Sequence, residues 1–421
     1  MTVSTKSSQD TRRPLPPGWR WVKLGMLIRE AQAGFACGER DATGIAQLRM
    51  NNLDTRGNFV WDSVLRVPRE SRDVEQFLLL PGDVLFNNTN STELVGKSAL
   101  FSGYAEPIVY SNHFTRLRTI SDALLPDLLA NWLNHQWQQG VFAAICNRWI
   151  GQSAVKADKL LNLEFPLPPL AEQQHIAALL NAQLAAVAQA RAAAEARLAA
   201  VKALPAAFLR QVFPQPGRPL PPGWRWVKLG EVCDIITDGT HVTPRYVEEG
   251  VRFISIANLR PFAPIDWNAY IKFITPEEHA ELTRRCKPER DDILVAKIGT
   301  LGVAKRIDFD EPVSIFVGLA LLKLRRQLAA PEFVEAYLNS PAALEQALLG
   351  AQGGGRQTLP LQNLALFRVP LPPLPEQQRI AALLNEQLAA VAQARAAAEA
   401  ELATINALPA ALLRGAFNGD L

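Results

Sequence analysis

The chain lacks the residues and runs that most function classes require. Its 421 residues include only 4 cysteines and 5 histidines, and 44 basic side chains nearly balance 41 acidic ones. Cys37, Cys146, Cys233 and Cys286 lie far apart and form no CxxC pair, which argues against a disulfide framework or a zinc site and suits a reducing cytoplasm. The formal net charge of +3 is compatible with nucleic acid but does not announce it. Residues 1–13 are polar with no apolar core segment, so no signal peptide is expected, and 1–14 read as a disordered tail. Elsewhere Gln, Arg and Glu interrupt the alanine-rich segments, so no run is long enough to span a bilayer and no membrane partner is expected.

Catalytic signatures are missing as well. Val95-Gly96-Lys97-Ser98 looks like the end of a phosphate-binding loop, but Ser91 stands where the first glycine of GxxxxGK[ST] is needed. Asp291-Asp292-Ile293-Leu294-Val295-Ala296-Lys297 has an acid and a lysine without the second acidic ligand that metal-dependent cleavage requires. No two histidines share metal-ligand helical spacing, no Gly-x-Ser-x-Gly elbow occurs, and no glycine-rich cofactor fingerprint follows a strand. The expectation is a non-catalytic chain with no metal site.

What the sequence has is repetition. Leu15 to Gly25 returns letter for letter at Leu220 to Gly230, and Pro166 to Phe213 returns at Pro370 to Phe417 with about four positions in five identical. The stretches between diverge almost throughout. Recent duplication alone does not explain this, because Gln189 and Arg191 recur as Gln393 and Arg395 beside domains that differ. The pattern predicts a variable domain at 15–165, a long helix at 166–213, a linker and second variable domain at 214–369, and a second long helix at 370–421.

Both variable blocks read as mixed α/β, one fold used twice. Val251 to Ala257 and Ile293 to Ile298 have strand character, and Pro331 to Leu349 has helical spacing ended by Gly350 to Gly355. Asn52-Leu53 parallels Asn258-Leu259, Asp83-Val84-Leu85 parallels Asp292-Ile293-Leu294, and Pro126 to Gln138 is the counterpart helix. In the copied helices Leu180, Leu184, Val187, Arg191, Ala194, Leu198 and Val201 fall at steps of four and three, repeated at Leu384, Leu388, Val391, Arg395, Ala398, Leu402 and Ile405. That is a coiled-coil seam. Antiparallel pairing is preferred, giving a pseudo-twofold repeat with the variable domains at opposite ends of a rod. Each helix is expected to stop before Pro205 or Pro409, giving about 30 residues and about 45 Å.

Polar loops are the remaining candidates for chemistry. Asn87-Asn88-Thr89-Asn90-Ser91-Thr92-Glu93 follows a strand, and amides are natural bidentate partners of adenine. Asp238-Gly239-Thr240-His241 follows the apolar strand Val232 to Ile236, where a glycine lets backbone approach a ligand. Gly353-Gly354-Gly355-Arg356-Gln357-Thr358 offers backbone donors beside an arginine, suited to phosphate.

These parts resemble the specificity subunits of type I restriction-modification systems over nearly the whole span from Leu15 to Phe417. The likeness rests on the Leu-Pro-x-Gly-Trp opening, the Asp238-Gly239-Thr240-His241 turn, the run Asn90 to Lys97, and the Pro-Leu-Pro-Pro-Leu-x-Glu-Gln-Gln segment before each helix. The first block lacks the Asp-Gly-Thr-His turn. The resemblance implies that each variable block reads one half of a split double-stranded DNA site, while the paired helices set the spacing and dock two modification methyltransferase subunits. Restriction and translocase subunits join that complex, and S-adenosylmethionine, ATP and magnesium belong to partner subunits, with no cofactor on this chain. The DNA-contact candidates are Asn52, Asn87, Asn88, Thr89, Asn90, Ser91, Lys97, Asn112, His113, Gly239, Thr240, His241, Arg245, Asn258, Lys297, Lys305 and Arg356. The partner-docking candidates are Glu172, Gln173, Gln174 and Gln189 with their copies Glu376, Gln377, Gln378 and Gln393. The alternative from another class is a coiled-coil adaptor that joins two proteins without DNA, and it predicts apolar, aromatic binding faces instead of amide-rich and basic loops.

Overall fold

The computed structural model describes residues 14–71 and 74–420, so the expected disordered tail lies outside the described residues except for Pro14. The chain divides into two compact units, Met1–Ala193 with Glu401–Leu421 and Ala194–Ala400. The two share three sheets in the same order, and the first adds a small three-stranded sheet of Asn147–Trp149, Gln152–Ala154 and Thr89–Asn90 where the second has isolated bridges.

In the first unit a four-stranded antiparallel sheet runs Ile28–Ala33, Phe114–Thr119, Val84–Asn87, Ser98–Leu100. The second unit repeats it with Cys233–Asp238, Leu319–Leu324, Ile293–Ala296 and Ala304–Arg306, including a register shift at the same place, between Cys233 and Ile235 as between Ile28 and Glu30. A three-stranded sheet pairs Ile45–Leu48 antiparallel to Leu65–Val67 and parallel to Ile108–Tyr110. Its copy joins Val251–Ile254 to Phe273–Ile274 and Val313–Ile315. Two-stranded ribbons, Arg20–Lys23 with Glu164–Leu167 and Arg225–Lys228 with Arg368–Leu371, close each unit. The copied Trp-Val-Lys segment is therefore one strand of the ribbon that leads into the long helix.

The frame is fixed by buried amides that recur position for position. Asn52 Oδ1 accepts from Arg49 N at 3.0 Å while its Nδ2 donates to Val60 O and Ser63 O; Asn258 does the same with Ser255 N, Asp266 O and Tyr270 O. Asn134 brackets both backbone groups of Ser98, and Asn339 those of Ala304. Gln173 Oε1 accepts from Leu125 N while Nε2 donates to Ala123 O and Pro168 O; Gln377 repeats this with Ala330 N, Leu328 O and Pro372 O. A buried backbone group left unpaired is costly, so each bracket pins a loop or helix to its sheet.

The long helices depart from expectation at their prolines. The central helix is Leu170–Val212, 43 residues with Pro205 inside it, and the C-terminal helix is Leu374–Asn418, 45 residues with Pro409 inside it. Each is about 65 Å long, not 45 Å. An interior proline costs about 3 kcal/mol. Beyond Pro205, Leu209 (0% exposed) and Phe213 (2%) enter the core of the second unit, and beyond Pro409, Leu413, Ala416 and Phe417 enter the core of the first. Burial of each large side chain contributes about 1.5–3 kcal/mol, which offsets the break.

The heptad residues form the buried stripe, with Leu180, Ala194, Leu198, Leu384, Leu388, Val391 and Ala398 buried between exposed alanines. Within the first unit Ile176 and Leu180 share a core with Leu413 and Phe417, while Leu184 to Arg191 face Ile405 to Pro409, so the helices run antiparallel. In the second unit Leu209 shares a core with Ile380 and Leu384, and Lys202 lies 3.8 Å from Glu399, the same antiparallel sense.

One further element differs. Pro331 to Leu349 is not a single helix but two, Pro331–Leu338 and Pro341–Gly350, because Pro341 interrupts the first and Ser340 caps the second by accepting from Ala343 N.

Candidate nucleic-acid interface

The loops at one edge of each four-stranded sheet share their backbone bonds and differ in their side chains. Asn88 N donates to His113 O and Asn88 O accepts from Val155 N; at the equivalent place Lys297 N donates to Gly318 O and Lys297 O accepts from Leu359 N. Gly96 N bonds Asn87 O, as Gly302 N bonds Ala296 O, with φ of +101° and +81°. Thr89 pairs with Ala154 as Ile298 bridges Thr358. The loop tip beside that pairing is Trp149-Ile150-Gly151 in the first unit and Gly353-Gly354-Gly355-Arg356 in the second. One backbone thus presents two chemistries.

In the first unit the structure brings Asn87, Asn88, Thr89, Asn90, Asn112 and His113 together. Asn87 is fully buried, donating to Thr89 O and His113 O and accepting from Asn90 Nδ2 at 2.7 Å. Asn88 and Thr89 are half-buried and linked by a 2.7 Å bond, and Asn90 Oδ1 accepts from Ser91 N. His113 Nε2 lies 3.5 Å from Gln152 Nε2 on the neighbouring hairpin. Burial and the Arg49 guanidinium hold the His113 pKa below its ordinary value, so the ring is neutral near pH 7 and offers one donor and one acceptor. Trp149 (60% exposed) and Ile150 (106%) project from the same hairpin beside the exposed Arg148.

In the second unit the chemistry converges on Asp238. This carboxylate is 4% exposed, with Lys297 Nζ at 3.0 Å, Arg285 Nη2 at 3.0 Å and His241 Nε2 at 3.3 Å. Burial alone would raise its pKa, yet the bonds to Lys297, His241 and Arg285 hold it below the usual carboxylate range. Thr240 Oγ1 turns back onto Val242, His241 is exposed, and Arg245 and Arg356 are exposed on neighbouring loops.

Several predicted contacts have structural work instead. Asn52, Asn87 and Asn258 are committed to the protein's own backbone or loop, and so is Asn88, whose Nδ2 donates to Asn112 O at 3.2 Å and Thr115 Oγ1 at 3.0 Å, so none of the four leaves a free edge for a base. Lys97 is buried on Leu53 O, where desolvation lowers its pKa, so it reaches no phosphate in this conformation. Lys297 is spent on Asp238, and Lys305 pairs with Glu335 at 3.2 Å, away from the loops. Gly239 is required because a Cβ there would lie 2.1 Å from Ile315 O, a packing reason and not ligand approach. Gly34 holds the same place in the first unit, 2.3 Å from Ser111 O, so that block has the turn's backbone without its Asp-Gly-Thr-His letters. Gln173 and Gln377 are buried brackets and present nothing to a partner. Glu172 accepts from Trp19 Nε1 at 2.8 Å and Glu376 pairs with Arg379, while Gln174, Gln189, Gln378 and Gln393 are exposed.

Sequence reasoning singled out the Asp238-Gly239-Thr240-His241 turn but left Asp238 out of its contact candidates, and it passed over Arg285, Gln152 and the Trp149-Ile150 tip. The Asp238 signal was available, since an acid ending an apolar strand needs a cation when buried. Asp292 pairs with Lys323 and not with Lys297, so the acid-and-lysine run does not converge on one site. Among the described residues no group of three or more His, Cys, Asp or Glu could hold a metal ion, and no helix is long and apolar enough to cross a membrane.

The family described as "Type I restriction modification DNA specificity domain" matches residues 68–191 and 221–396. A putative type I restriction enzyme MjaX specificity subunit of Methanocaldococcus jannaschii is 27% identical over 404 residues, 88% of this chain and 87% of the relative. The EcoBI specificity subunit of Escherichia coli is 26% identical over 175 residues, 42% of this chain and 36% of its own length. Among solved structures, a chain described under "Structural basis underlying complex assembly and conformational transition of the type I R-M system" superposes with a TM-score of 0.78 at 27% identity, covering 97% of this chain and all of that one. The HsdS subunit from Thermoanaerobacter tengcongensis gives 0.60 at 27%, covering 98% and 99%. The repeated recognition fold, the paired long helices and these matches agree: the chain belongs to the family of type I restriction-modification specificity subunits.

Proposed function

We propose that the chain is the DNA-reading component of a type I complex, in which each unit recognises one half of a bipartite, asymmetric site. The carrying observation is the pair of loops with the same backbone bonds and different side chains, Trp149-Ile150 in one against the glycine-arginine tip in the other. Two readers on one frame suit a target whose halves differ. Amides, a neutral imidazole and exposed arginines are base-edge and phosphate chemistry, which favours DNA over the adaptor reading. The exposed Trp149 and Ile150 fit a wedge against a base step. In this reading two methyltransferase subunits dock on the copied helices through exposed positions such as Gln174, Gln189, Gln378 and Gln393. Restriction and translocase subunits complete the complex, and methyl donor, ATP and magnesium are theirs.

The test is duplex binding by the chain assembled with its methyltransferase partner, titrated at several salt concentrations. Replacing the exposed Asn112 of this cluster, Asn112→Ala, is expected to cost about 1–3 kcal/mol of discrimination at one half-site only. Arg356→Ala should weaken all sequences alike and reduce the salt slope by about one. No duplex binding, or an Asn112 variant with unchanged preference, overturns the respective assignment.

The long helices supply the ruler. Four residues inserted after Ala194 add about 6 Å of helix, close to two base-pair steps of about 3.4 Å. The expected outcome, read by methylation mapping, is a changed gap with both half-sites intact. An unchanged gap in an assembled, active complex would limit the helices to holding partners.

A further inference from the structure

The second unit contains a cup that the frame does not require. It has a volume of about 450 Å³ and is walled by Tyr246, Phe253, Tyr270 and Phe316, with Ala257 and Arg356 also lining it. Phe253 is 2% exposed, whereas Tyr246, Tyr270 and Phe316 are only half-buried. Lys272 Nζ sits over both tyrosine rings, 5.0 Å and 5.8 Å from their centroids. Burial and a hydrogen bond with Tyr270 push the Tyr246 phenol up to about 12, so this hydroxyl is protonated at neutral pH and can donate a hydrogen bond.

The aromatic walls stand where the other unit has small polar residues. Phe316 N bonds Ile254 O as Ser111 N bonds Leu48 O, so Phe316 occupies the place of Ser111. Tyr270 O accepts from the Asn258 bracket as Ser63 O accepts from Asn52, and Ile298, another wall, occupies the place of Thr89. The same fold is built without the Phe316 and Tyr270 rings, so folding does not explain those two walls. They belong to the variable chemistry of the reading surface, next to the loop carrying Gly299 and Thr300.

We propose that this cup receives one unstacked nucleobase of the second half-site, an inference that rests on the DNA-reading function above. A base inside a duplex shows a groove only its edge, and ring faces recessed in a cup are usable only by another ring face. Aromatic walls stack on any base, the phenols offer hydrogen bonds to its edge, and Arg356 at the cup suits the adjoining phosphate. The base comes from duplex DNA, so an isolated nucleotide is not the ligand.

The experiment uses the full chain assembled with its methyltransferase partner and duplexes carrying the methylation motif mapped in the source genome. 2-Aminopurine is placed in turn at each position of the half-site, and anisotropy on the same samples reports binding. One position is expected to brighten several-fold on binding. Ala257→Trp fills the cup from an exposed position without removing any wall, and is expected to abolish that brightening and weaken binding about tenfold, the scale of one lost base stack. Tyr270→Phe keeps the ring and should retain the brightening. Binding with no bright position, or brightening that survives Ala257→Trp, overturns the cup and leaves the DNA-reading function standing. No duplex binding at all overturns both.

Discussion

Replacing Asp238 with alanine is expected to destabilise the chain by about 3–5 kcal/mol, because it leaves Lys297 as a buried ammonium with no counter-ion. Lys297 and Asp238 side chains are 8% and 6% exposed, so water does not replace the lost carboxylate. Arg285 and His241 lose the same carboxylate, while Arg285 keeps its bonds to the Asp238 and Gly239 carbonyls. The measurement is chemical denaturation of the wild type and the variant, and a loss below about 1 kcal/mol would show that the pair is not energetically buried. The acid response has a defined sign. Asp238 titrates below its ordinary value of 3.8, so the folded form holds fewer protons than the unfolded chain in that range. Its contribution is complete above about pH 4 and is lost as pH falls through the depressed value. Asp238→Asn should remove this share of the acid sensitivity.

Gln377→Ala is expected to cost about 3 kcal/mol or more, while the adjacent Gln378→Ala stays within about 0.5 kcal/mol. The two residues are neighbours with opposite duties. Gln377 is 0% exposed and its loss strands Ala330 N, Leu328 O and Pro372 O, each a buried group costing about 1–3 kcal/mol unpaired. Gln378 is exposed. Equal effects in the two denaturation curves would contradict the bracket.

This contrast also shows how far the sequence was legible. The copied Glu-Gln-Gln segments marked the frame correctly, but a polar letter before a helix reads the same whether it faces solvent or backbone. Gln173 and Gln377 are the inward ones, and only the chain's path fixes that. Asn52 and Asn258 were recognised as counterparts from their positions after matching strands, and their burial as brackets was invisible for the same reason. Pro205 and Pro409 predicted helix ends by a local rule, and remote anchors, Leu209 with Phe213 and Leu413 with Phe417, overrode it. Gly34 escaped notice because Ala33-Gly34-Phe35 shares only its glycine with Asp238-Gly239-Thr240. The backbone need at that position is steric, and sterics tolerate any flanking letters. The aromatic cup was unreadable because Tyr246, Tyr270 and Phe316 are distant in sequence and meet only through the repeated sheets.

The central claim is that one frame carries two independent readers. Its most direct measurement is the genome-wide methylation motif produced by the assembled complex, compared for the wild-type chain and for a chain with Asn90, Asn112 and His113 all changed to alanine. The account predicts two defined stretches separated by a fixed nonspecific gap, with the triple variant relaxing one stretch and leaving the other and the gap unchanged. A single contiguous motif, or relaxation of both stretches together, would contradict it.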